Sequence, residues 1–344
     1  MEPTLEVLTP GLLTTVQDAG RPGLGHLGVP RSGAADPWSL AVANLLLEND
    51  AGRAVLECTV VGPDLRVLWD TVVGLAGADL GAFVRPSGRR LRPNSADRLA
   101  AGEMLSMPGG PTGRGSLRAY LAVPGGLAVP PVLGSRSTCL AGAFGGLDGR
   151  PLRTGDRLGQ LADVTPEDAA RWVGRTWPAR PAEPAPGAVV RVLPGPELNA
   201  DREQLAAAAR ELVAGTWTVG PASDRQAIRL AGSWRDAAPV IPASGEWLSH
   251  GVVPGTIQLP PDGRPIVLLA DAQPTGGYPV IAVAIAADLP ILGQLAPGAD
   301  VRFETVEPST ARAAWSERQA ALAAGNRRLR EAAGWDDLWR SAGG

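Results

Sequence analysis

The chain contains no lysine: all 32 of its basic residues are arginine. That excludes a Walker-type phosphate loop, Schiff-base and pyridoxal chemistry, and any attachment point for biotin or lipoate, each of which needs a lysine amine. Histidine and cysteine are almost as scarce, two of each. His26 and His250 lie far apart, as do Cys58 and Cys139, so neither a His-rich metal site nor a disulfide framework is expected. No apolar run approaches the ~20 residues of a membrane helix, and no charged leader precedes an apolar stretch. A formal charge of -3 argues against general binding to nucleic acid or an anionic membrane. A cytoplasmic protein is expected. If it is catalytic, its tools are carboxylates, arginines, hydroxyls, amides and backbone groups.

What the chain has in abundance is turn chemistry. Its 44 glycines and 33 prolines separate short apolar runs such as "VVGLAGADL", "AYLAVPGGLAV", "PIVLLAD" and "VIAVAIAADL". This predicts a mainly β protein with a few helices, a barrel or sandwich rather than a βαβ array. One helix is predicted from "ADPWSLAVANLLLEN", with Asp36 as N-cap and Pro37 at the first helical position. Others follow "TPEDAARWV", capped by Thr165, and "ADREQLAAAARELVAG". At 344 residues the chain is long enough for two domains of roughly 150 residues each. The proline-dense "GRTWPARPAEPAPG" marks the linker, which suggests a β-rich half over 1–175, a linker over 176–187, a second β-rich half over 188–307 and a helical tail over 308–344. The tail spaces Trp315, Leu322 and Leu329 for one face of a long helix, packed back on the barrel or holding a partner.

Five segments gather polar groups. "TTVQDAGRPGLGHLGVPRSGAAD" carries Gln17, Asp18, Arg21, Ser32 and Asp36 among glycines that let backbone amides approach an anion. Asp18 and Arg21 can pair, or the whole stretch can be a polar loop. Glu57 and Asp79 interrupt apolar strands, where an acid needs a partner or a raised pKa. "GSRST" offers Ser135 and Arg136 with further hydroxyls, suited to a carboxylate or phosphoryl oxygen or to a plain hairpin turn. "SDRQAIRL" sets Asp224 beside Arg225. Finally, Gln258 stands in an alternating strand, while Asp271, Gln273, Thr275, Gly276, Gly277 and Tyr278 gather at a strand end, where barrel-rim sites form. Asp271, directly after an apolar run, is the best general-base candidate. On that basis Asp271→Asn should abolish turnover and leave the melting temperature nearly unchanged.

In order along the chain, "TTVQDAGRPGLGHLGVPRSGAAD", "LECTVVGP", "YLAVPGGLAVPPVLGSRST", "GGLDGRPLRTGD", "RVLPGP", "GTIQLPPDGRPIVLLAD" and "TGGYPVIA" resemble the biotin-dependent carboxyltransferase family, also called allophanate hydrolase subunit 2. The resemblance spans about residues 5–306. It implies two cyclophilin-like β-barrel domains and partner chains like subunits A and B of the ATP-hydrolysing 5-oxoprolinase. By resemblance, Asp18, Arg21, Asp271 and Tyr278 are catalytic. Gln17, Ser32, Asp36, Glu57, Ser135, Arg136, Asp224, Arg225, Gln258, Thr275, Gly276 and Gly277 bind substrate. Ala35 stands where the family commonly has methionine, Gln226, Ala227 and Ile228 where it has "MGY", and Ala272 and Pro274 where arginine and threonine are usual.

The activity implied is that of the C-type subunit of a complex opening 5-oxoproline to glutamate with ATP, the nucleotide being held here or on a partner. Two alternatives stand beside it. One is transfer of a carboxyl group to urea or a related amide from carboxybiotin on another chain. The other is a non-enzymatic role, binding a kinase-inhibitor-like protein.

Overall fold

The computed structural model describes residues 2–110, 116–178, 187–196, 203–232, 234 and 248–341. It is mainly β. The first half contributes β1 (Leu5–Thr9), β2 (Leu13–Gln17), β3 (Val55–Thr59), β4 (Asp64–Val67), β5 (Thr71–Gly77), β6 (Phe83–Arg85), β7 (Arg89–Arg90), β8 (Ser95–Leu99), β9 (Met104–Ser106), β10 (Arg118–Ala122) and β11 (Arg157–Leu158). They form a six-stranded sheet of order β11-β1-β4-β9-β6-β7 and a five-stranded sheet of order β2-β3-β10-β5-β8.

Strand parity divides the five-stranded sheet between two cores. Leu56, Cys58, Val73, Leu75, Ala119 and Leu121 pack with Val7, Leu65 and Val84 of the other sheet. Val55, Val72, Ala76, Tyr120 and Ala122 pack with helix α1 (Pro37–Leu45). Glu57 falls on the helix side by the same alternation. Its cross-strand neighbours are Tyr120 in β10 and Thr15 in β2.

The helix starts follow from local capping. Asp36 accepts from the backbone N–H groups of Trp38 and Ser39 at 3.0 Å each, with Pro37 next in line. Thr165 and Asp168 form a reciprocal capping box at the start of α2 (Pro166–Trp172). Residues 179–186 of the proline-rich stretch lie outside the described residues. Thr176 and Trp177, which composition placed in the linker, pack with the first half. Thr176 bridges to Ser95, and the Trp177 ring meets Trp38 edge-on at 6.3 Å.

The second half closes into a seven-stranded barrel: β12 (Ala188–Pro194), β13 (Trp217–Val219), β14 (Ala227–Ala231), β16 (Thr256–Gln258), β17 (Ile266–Leu268), β19 (Val280–Ala284) and β20 (Asp300–Thr305). Parallel pairing of β12 with β20 completes the circuit, so the barrel has no open edge. A two-stranded ribbon, β15 (His250–Gly251) and β18 (Thr275–Gly276), stands apart from it. Helix α3 (Glu203–Ala214) inserts Leu205, Ala208 and Leu212 into the barrel core. Helix α4 (Leu289–Gln294) reaches back to the first half. There Gly293 is obligatory, because an added Cβ would lie 2.2 Å from the Ala35 carbonyl oxygen.

The last helix, α5, runs Pro308–Ser341. Its inward stripe is Ala314, Leu322, Gly325 and Leu329, with Arg318 half-buried between them. Trp315 is instead 45% exposed. Spacing of seven matches a supercoiled seam, whereas a straight helix of 3.6 residues per turn drifts off it, so Trp315 falls outside the stripe that holds Leu322 and Leu329. No described helix is long and apolar enough to cross a membrane.

Gly325 generates a test. Replacing a mid-helix glycine with alanine ordinarily stabilises by about 1 kcal/mol. Here the new Cβ would meet the Trp177 ring at 2.3 Å. Gly325→Ala is therefore expected to destabilise, by roughly 1–3 kcal/mol, in urea unfolding; stabilisation would show that α5 does not seat on Trp177.

Candidate active site

Arg225 lies at the junction of the two halves and is 2% exposed. Its Nε and Nη2 donate to the two oxygens of Asp271 at 2.8 and 3.1 Å. Nη1 donates to Glu57, and Nη2 also reaches the Gly33 carbonyl at 2.6 Å. One guanidinium thus ties the barrel to β3 and to the glycine-rich loop. Glu57 accepts further from the Tyr120 hydroxyl and the Ala35 N–H, each at 2.9 Å, and Arg118 Nε stands 3.6 Å away. Two carboxylates and two arginines make the cluster neutral, as burial requires.

The charges determine how these groups titrate. Burial alone would lower the pKa of Arg225, but Asp271 and Glu57 more than reverse it. Burial would likewise raise Glu57, yet the Arg225 and Arg118 charges and the Ala35 amide hold it below the usual carboxylate range. Tyr120 is pushed well up by burial and by Glu57 and Asp36. Asp36 sits one hydrogen bond further on: its N–H donates to the Tyr120 oxygen at 2.8 Å. The Asp36 carboxylate caps α1 and accepts from Ser39 Oγ and from Gln294 Nε2 at 2.6 and 2.7 Å. Burial raises its pKa. Gln294 also exchanges hydrogen bonds with the Arg118 backbone, at 2.8 and 3.0 Å, which locks α4 to β10.

A second group surrounds Asp18. Its carboxylate accepts from Ser135 Oγ (2.6 Å), Ser137 Oγ (2.5 Å), Arg136 N–H (2.5 Å) and Gly20 N–H (2.8 Å). Four donors leave it engaged as a clamp between two loops. Gln17, beside it, is buried and donates to Thr15 Oγ1 and to the Thr138 carbonyl. Ser32 is buried with φ at 52° and its hydroxyl bonds no described residue, a strained position of the kind found at sites.

Arg21 completes this group. It is 2% exposed, donates through Nη2 to the Ser137 carbonyl at 2.5 Å, and lies 4.9 Å over the Phe144 ring. Its Nε and Nη1 bond no described residue. Burial pulls its pKa below the usual guanidinium value, against the opposing influence of Cys139, Asp18 and Asp271. Arg21 faces a cleft of 420 Å³ between the halves, walled by Arg31 from the glycine-rich loop and by Val252, Ala270, Gln273 and Pro274 from the barrel side. Ala272 and Pro274, two departures from the family pattern, lie in this wall. A desolvated cation with two unpaired, buried nitrogens at a cleft wall is of the chemistry that suits an anion.

The remaining candidates lie apart from these groups. Asp224 is exposed and accepts from the backbone N–H groups of Gln226 and Ala227 at 2.7 and 3.0 Å, which makes a turn. Gln258 is buried under the ribbon, where its Nε2 reaches the Tyr278 carbonyl at 3.4 Å. A Cβ at Gly276 would come 2.3 Å from that Nε2, so any larger residue there would displace the Gln258 amide. Thr275 is exposed and pairs with Gly251. Gly277 is exposed too, and the Tyr278 side chain is 44% exposed. The groups around GGYP thus do not converge: Asp271 turns inward to Arg225, Gln273 lines the Arg21 cleft, and Thr275 and Gly276 form a strand of the ribbon. Tyr120, Arg118 and Gln294 are not among the residues that the sequence singles out, whereas Ser137 belongs to its run of hydroxyl donors. Tyr120 was detectable as one of only two tyrosines, set in an apolar strand.

Over residues 27–305 the chain matches the family described as carboxyltransferase domain, subdomain A and B, and it belongs to that family. It is 37% identical over 305 residues to the C-type subunit of 5-oxoprolinase from Escherichia coli (strain K12), covering 87% of this chain and 90% of that protein. With urea amidolyase of Lachancea kluyveri it shares 30% identity over 335 residues, 92% of this chain but 18% of that one. The crystal structure of TTHA0988 aligns at 39% identity and a TM-score of 0.74, over 88% of this chain and 56% of that chain. The crystal structure of K. lactis urea amidolyase aligns at 27% identity and a TM-score of 0.77, over 94% and 20%.

The pairing of Asp271 changes what its substitution should do. Asp271→Asn leaves Arg225 with half its compensating charge, so a loss of about 3–5 kcal/mol in urea unfolding is expected, not an unchanged melting temperature. Asp224→Asn, in an exposed turn, should stay within about 0.5 kcal/mol. Glu57 sets an acid limit: its folded pKa lies below the unfolded value of about 4.3, so its stabilisation is complete above that value and is lost as pH falls through the folded one. Glu57→Gln should therefore lower stability at neutral pH and flatten the acid limb of the stability profile; an unaltered acid limb would place its source elsewhere.

Proposed function

We propose that the chain is the C-type subunit of an ATP-dependent 5-oxoprolinase complex and that Arg21 holds the carboxylate of the cyclic amide. The observation that carries this reading is the buried Arg21 guanidinium, with two N–H-bearing nitrogens free, at a cleft between the halves. The likeness to the E. coli 5-oxoprolinase chain, covering most of both proteins, supports it.

In this reading ATP phosphorylates the lactam oxygen, water adds to the activated carbon, and ring opening releases phosphate and glutamate. Arginine suits the charge that develops on transferred oxygens. The chain has no lysine for a phosphate loop; in this reading ATP and part of the machinery are supplied by subunits like A and B. Asp18 acts as a positioning residue, holding the 135–137 loop whose Ser137 carbonyl fixes Arg21. Asp271 keeps Arg225, and through it the Gly33 backbone, in place. Tyr278, exposed at the ribbon, is assigned to the partner-facing rim.

A second reading is carboxyl transfer to a urea-like amide, favoured by the TM-score of 0.77 with K. lactis urea carboxylase over 94% of this chain. Carboxybiotin would then arrive on another chain. The same cleft and Arg21 would receive its carboxylate.

The test is ADP and glutamate release by the chain with its co-purified partners, with and without 5-oxoproline. Release that depends on 5-oxoproline is expected; its absence from an assembled complex overturns the reading. In an active complex Arg21→Gln should raise KM for 5-oxoproline roughly 10–100-fold, the worth of one or two hydrogen bonds to a charged group, with melting little changed. An unaltered KM would remove Arg21 from the substrate site.

A further inference from the structure

A larger cleft, of 840 Å³, lies under the terminal helix, where α5 crosses the junction of the halves. The segment that roofs it begins at Pro308, beyond the residues matched to the family. Ala314, Glu317, Arg318 and Ala321 line it from above. They are spaced i, i+3, i+4 and i+7 and so occupy one helix face. The two alanines leave the volume open, and Arg318 is the only long cationic group that this face sends in.

Trp38, Trp177 and Asn94 line the same cleft, and each carries a buried polar atom that bonds no described residue. Trp38 and Trp177 are 8% and 5% exposed, and the buried Nε1–H of each bonds no described residue. Asn94 Oδ1 is a buried acceptor in the same state. A buried polar atom without a partner costs about 1–3 kcal/mol, so three in one cleft mark a place where a partner is supplied from outside.

Arg318 adds the charge. Its guanidinium lies 5.3 Å over the Trp38 ring and has no ion pair with a described residue. Two nearby carboxylates are taken: Asp36 accepts from Trp38 N–H, Ser39 N–H, Ser39 Oγ and Gln294, and Asp288 holds Arg191 at 2.6 and 2.9 Å; Asp79 and Glu317 also line the cleft, with Arg92 and Arg191 as further cations. Burial lowers the pKa of Arg318, with Asp36 and Asp288 opposing.

From this geometry we propose that the cleft is a second ligand site, for a small carboxylate bearing an amide N–H and a flat apolar group, that is, an N-acylated amino acid. Arg318 and the indole N–H groups receive the carboxylate, Asn94 Oδ1 accepts the amide N–H, and the Trp38–Trp177 pair, whose planes meet at 88°, offers an aromatic edge and face. The inference does not rest on the activity proposed above: Arg21 and its cleft take no part.

The test is calorimetric titration of the full chain with N-benzoylglycine. Saturable binding is expected, weakened roughly tenfold or more by Arg318→Gln, the loss of a charge-assisted contact, and abolished by Ala321→Leu, which fills the cleft from an exposed helix position and keeps a strong helix former. N-Benzoylsarcosine, whose amide carries methyl in place of hydrogen, should also bind several-fold more weakly. Arg21→Gln should bind like the parent. No saturable binding at millimolar ligand, equal binding by Arg318→Gln and Ala321→Leu in folded variants, or loss of binding in Arg21→Gln would each overturn the proposal.

Discussion

The junction of the two halves depends on one buried arginine. Arg225 gives two donors to Asp271, one to Glu57 and one to the Gly33 carbonyl, so barrel, sheet and loop are positioned by a single planar group. Lysine could not replace it, because a point ammonium lacks the fork that meets three acceptors in fixed directions. The interaction is compelling rather than merely favourable: dehydrating Arg225, Glu57, Asp271 and Arg118 is costly, and only mutual pairing offsets it. That makes the relative placement of the halves specific, since any slip would strand a charge.

The same physics separates the arginines of this protein into classes. Arg225 has two carboxylates and is saturated. Arg21 and Arg318 are desolvated to different degrees, bond no carboxylate among the described residues, and each faces a cleft. Their aromatic neighbours, Phe144 and Trp38, supply part of the lost solvation through the ring face. In a chain without lysine, all cationic recognition passes through planar guanidinium groups suited to carboxylate and phosphoryl oxygens. Asp18 shows the complementary case: an acid in a conspicuous loop whose oxygens are fully used by four donors and whose contribution is geometric.

Much of the fold was legible along the chain because its causes are local. Asp36 followed by Pro37, and Thr165 with Asp168, specify helix starts within one turn. In the strand Val55–Thr59, by contrast, both faces are buried, so which of Val55, Leu56, Glu57 and Cys58 meets the helix was decided by packing. The ordered motifs also pointed to the family. The seven-residue spacing in α5 misled at Trp315, because a single helix against a globular surface follows 3.6 residues per turn.

What the sequence by itself determined, then, is the mainly β class, the helix caps and the kind of chemistry a lysine-free chain can perform. Tertiary structure alone decided which polar residues meet. Glu57 and Arg225 are 168 residues apart, and Arg225 and Asp271 are 46 apart; no spacing rule links partners brought together by packing one half on the other. It also decided which arginine is satisfied and which is free, because desolvation and pairing are properties of an environment and not of a residue.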